Sequence, residues 1–199
     1  MPQSLPEIPP ASGWSRRACL ALLKQLGWRT VLVPLPGPKG VIIVYPHTSN
    51  WDFPIGMLFR HGVDLRAQWM GKHSLFRWPF GVLLRRLGGI AIERHARHGV
   101  TAAIVDLYRQ RSELWIAIAP EGTRARVEYL KSGFYRIALE AGVPCAIGFI
   151  DYATRTVGID AYVTFTGDEA QDLERLRACY AGKRGHRPNL AGGIAFRQR

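Results

Sequence analysis

Short apolar runs alternating with longer amphipathic stretches predict an α/β fold: a single domain with a largely parallel central sheet flanked by helices, preceded by an amphipathic helix. Three observations carry this expectation. The runs at 41–45 (VIIVY), 90–92 (IAI), 114–119 (LWIAIA) and 143–150 (VPCAIGFI) are too short for buried helices and have the β-branched content of interior strands. Helical stretches fall between them, near 52–60, 75–87, 99–111 and 131–141. The length of 199 residues suits one domain. Such a domain buries roughly two-thirds of its unfolded surface and needs no cross-links.

Along the chain, residues 1–30 separate from the body at 31–199. Residues 1–12 read as a proline-containing arm, with neither the basic start nor the apolar core of a secretory signal. Residues 14–28 (WSRRACLALLKQLGW) read as a helix bounded by Trp14 and Trp28 and opened by Arg16 and Arg17. Two placements are open for it: in a membrane interface, or packed on the domain. Gly142 followed by Val143 and Pro144 predicts a helix stop feeding a strand. Residues 157–165 add a strand, and 168–181 a polar final helix. The stretch 74–87 (SLFRWPFGVLLRRL) is either a core helix kinked by Pro79 or an element that faces a membrane or lines an acyl chain. No apolar run reaches the ~18 residues of a spanning helix.

Composition narrows the class. A hydrophobic content of 47% with 21% charged residues is that of a globular enzyme. Cys19, Cys145 and Cys179 are widely spaced, which predicts no disulfide framework, no metal site and a reducing compartment. Lys and Arg number 27 against 15 Asp and Glu, a formal charge of +12. That surface attracts nucleic acid, anionic lipid or an acidic carrier protein, or is simply a solvated basic face.

Two motifs follow strands, where ligands of α/β sheets gather. The first is Tyr45 to Asp52 (YPHTSNWD), in which an H-x4-D spacing brings a carboxylate within reach of His47 through one turn. A carboxylate there holds the imidazole tautomer and leaves the far nitrogen to accept a proton, the equipment of a general base. The second is Ala119 to Arg124 (APEGTR). Gly122 allows close backbone approach, and Thr123 and Arg124 can bind oxyanions. His61, His73, His95, His98 and His186 lack metal-ligand spacing and read as surface or structural, with His95 and His98 beside Arg94 and Arg97. There is no nucleophile elbow around Ser49, no P-loop and no dinucleotide fingerprint.

His47–Asp52 with Glu121–Arg124 resembles the glycerolipid acyltransferases, the family that includes bacterial 1-acylglycerol-3-phosphate acyltransferase. Gly88–Arg94, Lys72–Pro79 and Val143-Pro144 match further blocks in order and spacing, so the resemblance spans about residues 40–150. It implies His47 as general base and Asp52 as its orienting partner. It further implies an acceptor site from Arg94, Glu121, Gly122, Thr123, Arg124, Lys72 and Lys131.

The implied reaction moves a fatty acyl group from acyl-CoA or acyl carrier protein to a lysolipid hydroxyl, 1-acylglycerol-3-phosphate by default. The thioester is a co-substrate, and no cofactor, metal or nucleic acid is expected. The implied location is cytoplasmic, peripheral on the inner face of an anionic membrane. Two departures matter: Ala125 stands where the family has serine, and residues 1–30 supply at most one interfacial helix. A nucleic-acid-binding module and an acyl-thioesterase on the same fold are the alternative functions.

Overall fold

A computed structural model describes residues 12–92 and 97–197. Helix α1 (Gly13–Gln25) starts where Ser12 Oγ accepts from the Ser15 N–H. It stops at Gly27, whose φ of +78° lets the Trp28 N–H reach back to the Leu23 carbonyl. Strand β1 (Arg29–Leu32) follows, then β2 (Lys39–Val44), α2 (Asp52–Gly62) and β3 (Ala67–Lys72). A 3-10 turn (His73–Phe76) leads to α3 (Phe80–Arg86), β4 (Gly89–Ile92), α4 (Arg97–Gln110) and β5 (Leu114–Ile118). The chain closes with α5 (Gly133–Ala141), β6 (Cys145–Asp151), β7 (Thr156–Val163), α6 (Glu169–Tyr180) and a 3-10 turn at Pro188–Leu190.

The seven strands form one sheet in the order β1-β7-β6-β2-β5-β3-β4. β2 runs parallel to both β5 and β6, and β3 runs parallel to β5 and β4. The expected α/β architecture with a largely parallel sheet is therefore the one observed. β6 and β7 pair antiparallel, since the few residues between them make a hairpin but not a crossover.

Side chains of β2 alternate between two cores. Val41, Ile43 and Tyr45 pack with α4, α5 and α6 through Tyr108, Phe134 and Leu176. Ile42 packs on the other face with Leu23 of α1 and with Ile55 and Phe59 of α2. Helices thus cover both faces of the interior strands. α1 lies against α2: Ser15 Oγ is 2.9 Å from His61 Nε2, and Leu20 fills the space beside Gly62 that a Cβ would need.

Two strands were not anticipated, and one expectation is corrected. β3 reads AQWMGK, with the buried Gln68 inside it and no continuous apolar run, so its pattern hides it. β1 is a four-residue edge strand, three of whose residues are exposed, and it too carries no strand signal. The single helix expected over 75–87 is instead the 3-10 turn and α3, separated by the segment around Pro79.

A Cβ on Gly158 of β7 would lie 1.9 Å from the Val31 carbonyl oxygen of β1. Gly158→Ala must therefore part these strands and should cost about 1–3 kcal/mol of stability, read as a lowered melting temperature.

Candidate active site

The chain leaves β2 at Val44 and turns through residues 45–51 into α2, of which Asp52 is the first residue. Ser49 to Asp52 reads S-x-x-D, and two side chain-to-backbone hydrogen bonds pin the turn just before the helix. Asp52 Oδ2 accepts from the Ser49 N–H at 3.0 Å, and Ser49 Oγ accepts from the Trp51 N–H at 3.2 Å. This turn aims the carboxylate backwards along the chain, so that Oδ2 lies 3.0 Å from His47 Nδ1. The approach is oblique: it has the distance of an ion pair without the angle of a straight hydrogen bond. The Asp52 side chain is 2% exposed and that of His47 16%, so the carboxylate is sealed while the imidazole reaches the surface. Nδ1 faces Asp52, and Nε2 has no protein partner among the described residues.

A residue that sequence reasoning missed completes the pair. The Tyr152 hydroxyl donates to Asp52 Oδ1 at 2.8 Å, so both carboxylate oxygens are engaged. Burial pushes the Tyr152 hydroxyl far above its ordinary range, and the adjacent Asp52 carboxylate adds to the rise. Tyr152 therefore stays a donor. Strand register explains its arrival. Val44 of β2 pairs with Gly148 of β6, and both strands point the same way, so Tyr152, four residues beyond Gly148, lies beside the His47 loop. No motif marks it, and it lies beyond the span of the family resemblance.

Glu121 is held inside the fold. It is 1% exposed, and both oxygens are engaged by the backbone: Oε2 accepts from the His47 N–H at 2.6 Å and Oε1 from the Gly192 N–H at 3.2 Å. Burial raises its carboxyl above the usual range despite these two hydrogen bonds, which pull the other way. Glu121 ties the His47 loop to the C-terminal segment. The meeting follows from register, since Ile43 of β2 pairs with Ile118 of β5 and the two turns leave the sheet side by side.

The C-terminal segment closes behind the loop. The Arg187 N–H donates to Thr48 Oγ1 at 3.0 Å, and the Tyr152 N–H to the Arg184 carbonyl at 2.9 Å. Gly185 is packed so closely that a Cβ would lie 2.6 Å from Thr48 Oγ1. The Tyr45 hydroxyl donates to the Gly192 carbonyl. His186 is exposed, and its ring meets Tyr152 edge-on at 4.8 Å.

The remaining predicted residues fall as follows. Gly122 adopts φ +65°, which favours glycine, and Lys131 lies across it, its Nζ 2.5 Å from where a Cβ would stand. Thr123 and Arg124 are exposed directly after it. Lys72 is exposed at the end of β3, two strands from β2 along the same edge of the sheet. Arg94 and His95 lie outside the described residues, and so do the side chains of Arg97 and His98. No group of three or more His, Cys, Asp or Glu placed to hold a metal occurs among the described residues.

The family described as Acyltransferase matches residues 32–147. Among solved structures, the chain is similar to the 1-acyl-sn-glycerophosphate (LPA) acyltransferase PlsC from Thermotoga maritima. The identity is 19%, the TM-score 0.51, and the match covers 83% of this chain and 77% of that one. At that identity the likeness is one of fold. Among curated proteins none matches this sequence.

Two substitutions test the geometry. Tyr152→Phe removes one hydrogen bond to a buried carboxylate. It should slow turnover by about tenfold with KM little changed and the fold intact by circular dichroism. Glu121→Gln turns one acceptor into a donor facing a backbone N–H. It should lower stability by roughly 1–3 kcal/mol, measured by denaturant unfolding.

Proposed function

The chain belongs to the acyltransferase family, and from that premise we propose that it moves a fatty acyl group from an acyl thioester to the free hydroxyl of a lysolipid, 1-acylglycerol-3-phosphate first among acceptors. The observation that carries this reading is the buried Asp52 carboxylate 3.0 Å from His47 Nδ1, beside a turn that exposes Thr123 and Arg124.

In this mechanism His47 Nε2 takes the proton of the acceptor hydroxyl as its oxygen attacks the thioester carbonyl. Asp52 stabilises the imidazolium that forms and keeps Nδ1 protonated. The tetrahedral intermediate collapses, the carbon–sulfur bond breaks, and the thiolate receives the proton from His47. An ester and a free thiol result, and no covalent acyl-enzyme is required. Proximity and the placed base are the main catalytic devices, the base supplying roughly 10²–10⁴-fold.

Arg124, Thr123 and Lys131, together with Arg94 and Lys72, are assigned to the acidic head group of the acceptor. Their charges suit a phosphate, and the Gly122 turn brings backbone and Lys131 together there. Glu121 acts by holding His47 and its loop in place. Acyl-CoA and acyl carrier protein are both acidic donors that fit a chain of formal charge +12, and no other cofactor enters. We assign the enzyme to the cytoplasmic face of a membrane, held peripherally. No helix among the described residues is long and apolar enough to cross one.

The test is transfer from labelled acyl-CoA and labelled acyl carrier protein to a panel of lysolipids. Wild type should form acylated lipid, and His47→Ala should lose it by about 10²–10⁴-fold while remaining folded. Free fatty acid released at the same rate with and without acceptor would mean a thioesterase. An unchanged His47→Ala rate would remove the base from the mechanism.

A further inference from the structure

The 3-10 turn and α3 present an apolar surface that the fold does not cover. Trp78 is 89% exposed and Phe80 70%, and Leu75, Val82 and Leu83 are exposed around them. Soluble domains rarely leave two large aromatics this open on adjacent turns. The element is nevertheless pinned. Phe76 is buried, its ring stacks on Trp69 at 5.6 Å, and the Arg85 guanidinium lies 5.3 Å from its ring centroid. Gly81 packs so tightly on the turn that a Cβ would lie 2.0 Å from the Phe76 carbonyl oxygen. The exposed side chains are therefore held outward on an anchored base.

Charge selects the occupant. No acidic residue occurs between Asp64 and Glu93, whereas Lys72, Arg77, Arg85 and Arg86 flank or interrupt the apolar residues. Lys72, Arg77 and Arg86 are exposed. Apolar and aromatic tips ringed by cations, with no carboxylate among them, match the layered chemistry of an anionic bilayer: phosphates outside, hydrocarbon beneath.

We propose that the segment from Lys72 to Arg86 is the membrane-docking element of this protein, seating Trp78, Phe80, Val82 and Leu83 in the interface while Arg77 and Arg86 meet lipid phosphates. The inference rests on the reading that the acceptor is a lipid. It adds that the acceptor enters from the bilayer side of the site. The segment begins where β3 ends, and β3, β5 and β2 are parallel neighbours, so it departs from the sheet edge that carries His47.

The test is co-sedimentation of the full chain with vesicles of phosphatidylcholine, with and without phosphatidylglycerol. Wild type should bind the anionic vesicles more tightly. Trp78→Ser with Phe80→Ser, and separately Arg77→Glu with Arg86→Glu, should each weaken that binding at least roughly tenfold. Both should leave melting temperature and transfer to a monomeric short-chain acceptor unchanged. Trp14→Ser with Leu22→Ser, on the exposed face of α1, should bind as wild type does.

Undiminished binding by either test variant overturns the proposal, as does loss confined to the α1 variant. So does a wild-type dimer that the Trp78/Phe80 variant dissociates, which would assign the patch to a second copy of the chain. Equal competition by duplex DNA at the same residues would assign it to nucleic acid. Variant-sensitive vesicle binding without transfer to any acceptor would sink the reaction and keep the docking element. Normal transfer with variant-insensitive binding would sink the docking element alone.

Discussion

The buried carboxylate of Glu121 holds together three segments that are remote in sequence. Its oxygens accept from the backbone of His47 and of Gly192, and its own turn leaves β5. A carboxylate in so dry a place is costly unless hydrogen-bonded, and the two N–H groups satisfy it. Those groups would in turn be unsatisfied donors without it. The His47 loop, the E-G-T-R turn and the C-terminal segment are thereby interdependent, and the position of His47 follows from all three.

The His47–Asp52 pair is built on the opposite principle, with one member sealed and the other open. Asp52 accepts hydrogen bonds from the Ser49 N–H and the Tyr152 hydroxyl and lies beside His47 Nδ1, so its carboxylate is fixed in direction and shielded from water. In such surroundings its field on the imidazole is stronger than it would be at the surface. His47, partly exposed, is open to a reactant on its Nε2 side. In the proposed mechanism orientation comes from the buried side and chemistry from the open one.

The docking element and the site share the C-terminal edge of the sheet, a consequence of parallel strands. Each parallel strand ends on the same edge, so whatever follows β2, β3 and β5 gathers there. The basic charge is concentrated in part on this edge, through Lys72, Arg124 and Lys131. A lipid whose head group is acidic and whose tail is apolar would meet both requirements on one face.

Much of this was legible in the sequence. Apolar periodicity and turn residues are local, so the α/β class, five of the seven strands and the stop at Gly142 could be read directly. The His47–Asp52 pairing was also local, because one capped turn joins the two residues. β1 and β3 were not legible, since an exposed edge strand and a strand containing Gln68 and Lys72 lack the alternation that marks a buried one. Tertiary structure alone decided that Tyr152 completes the Asp52 shell and that Glu121 faces inward to Gly192. Both depend on the register of β5 and β6 beside β2, which no spacing encodes. It also decided that Trp78, Phe80, Val82 and Leu83 face outward while Phe76 is buried, because hydrophobicity gives the preference of a side chain and packing decides whether a neighbour exists to cover it.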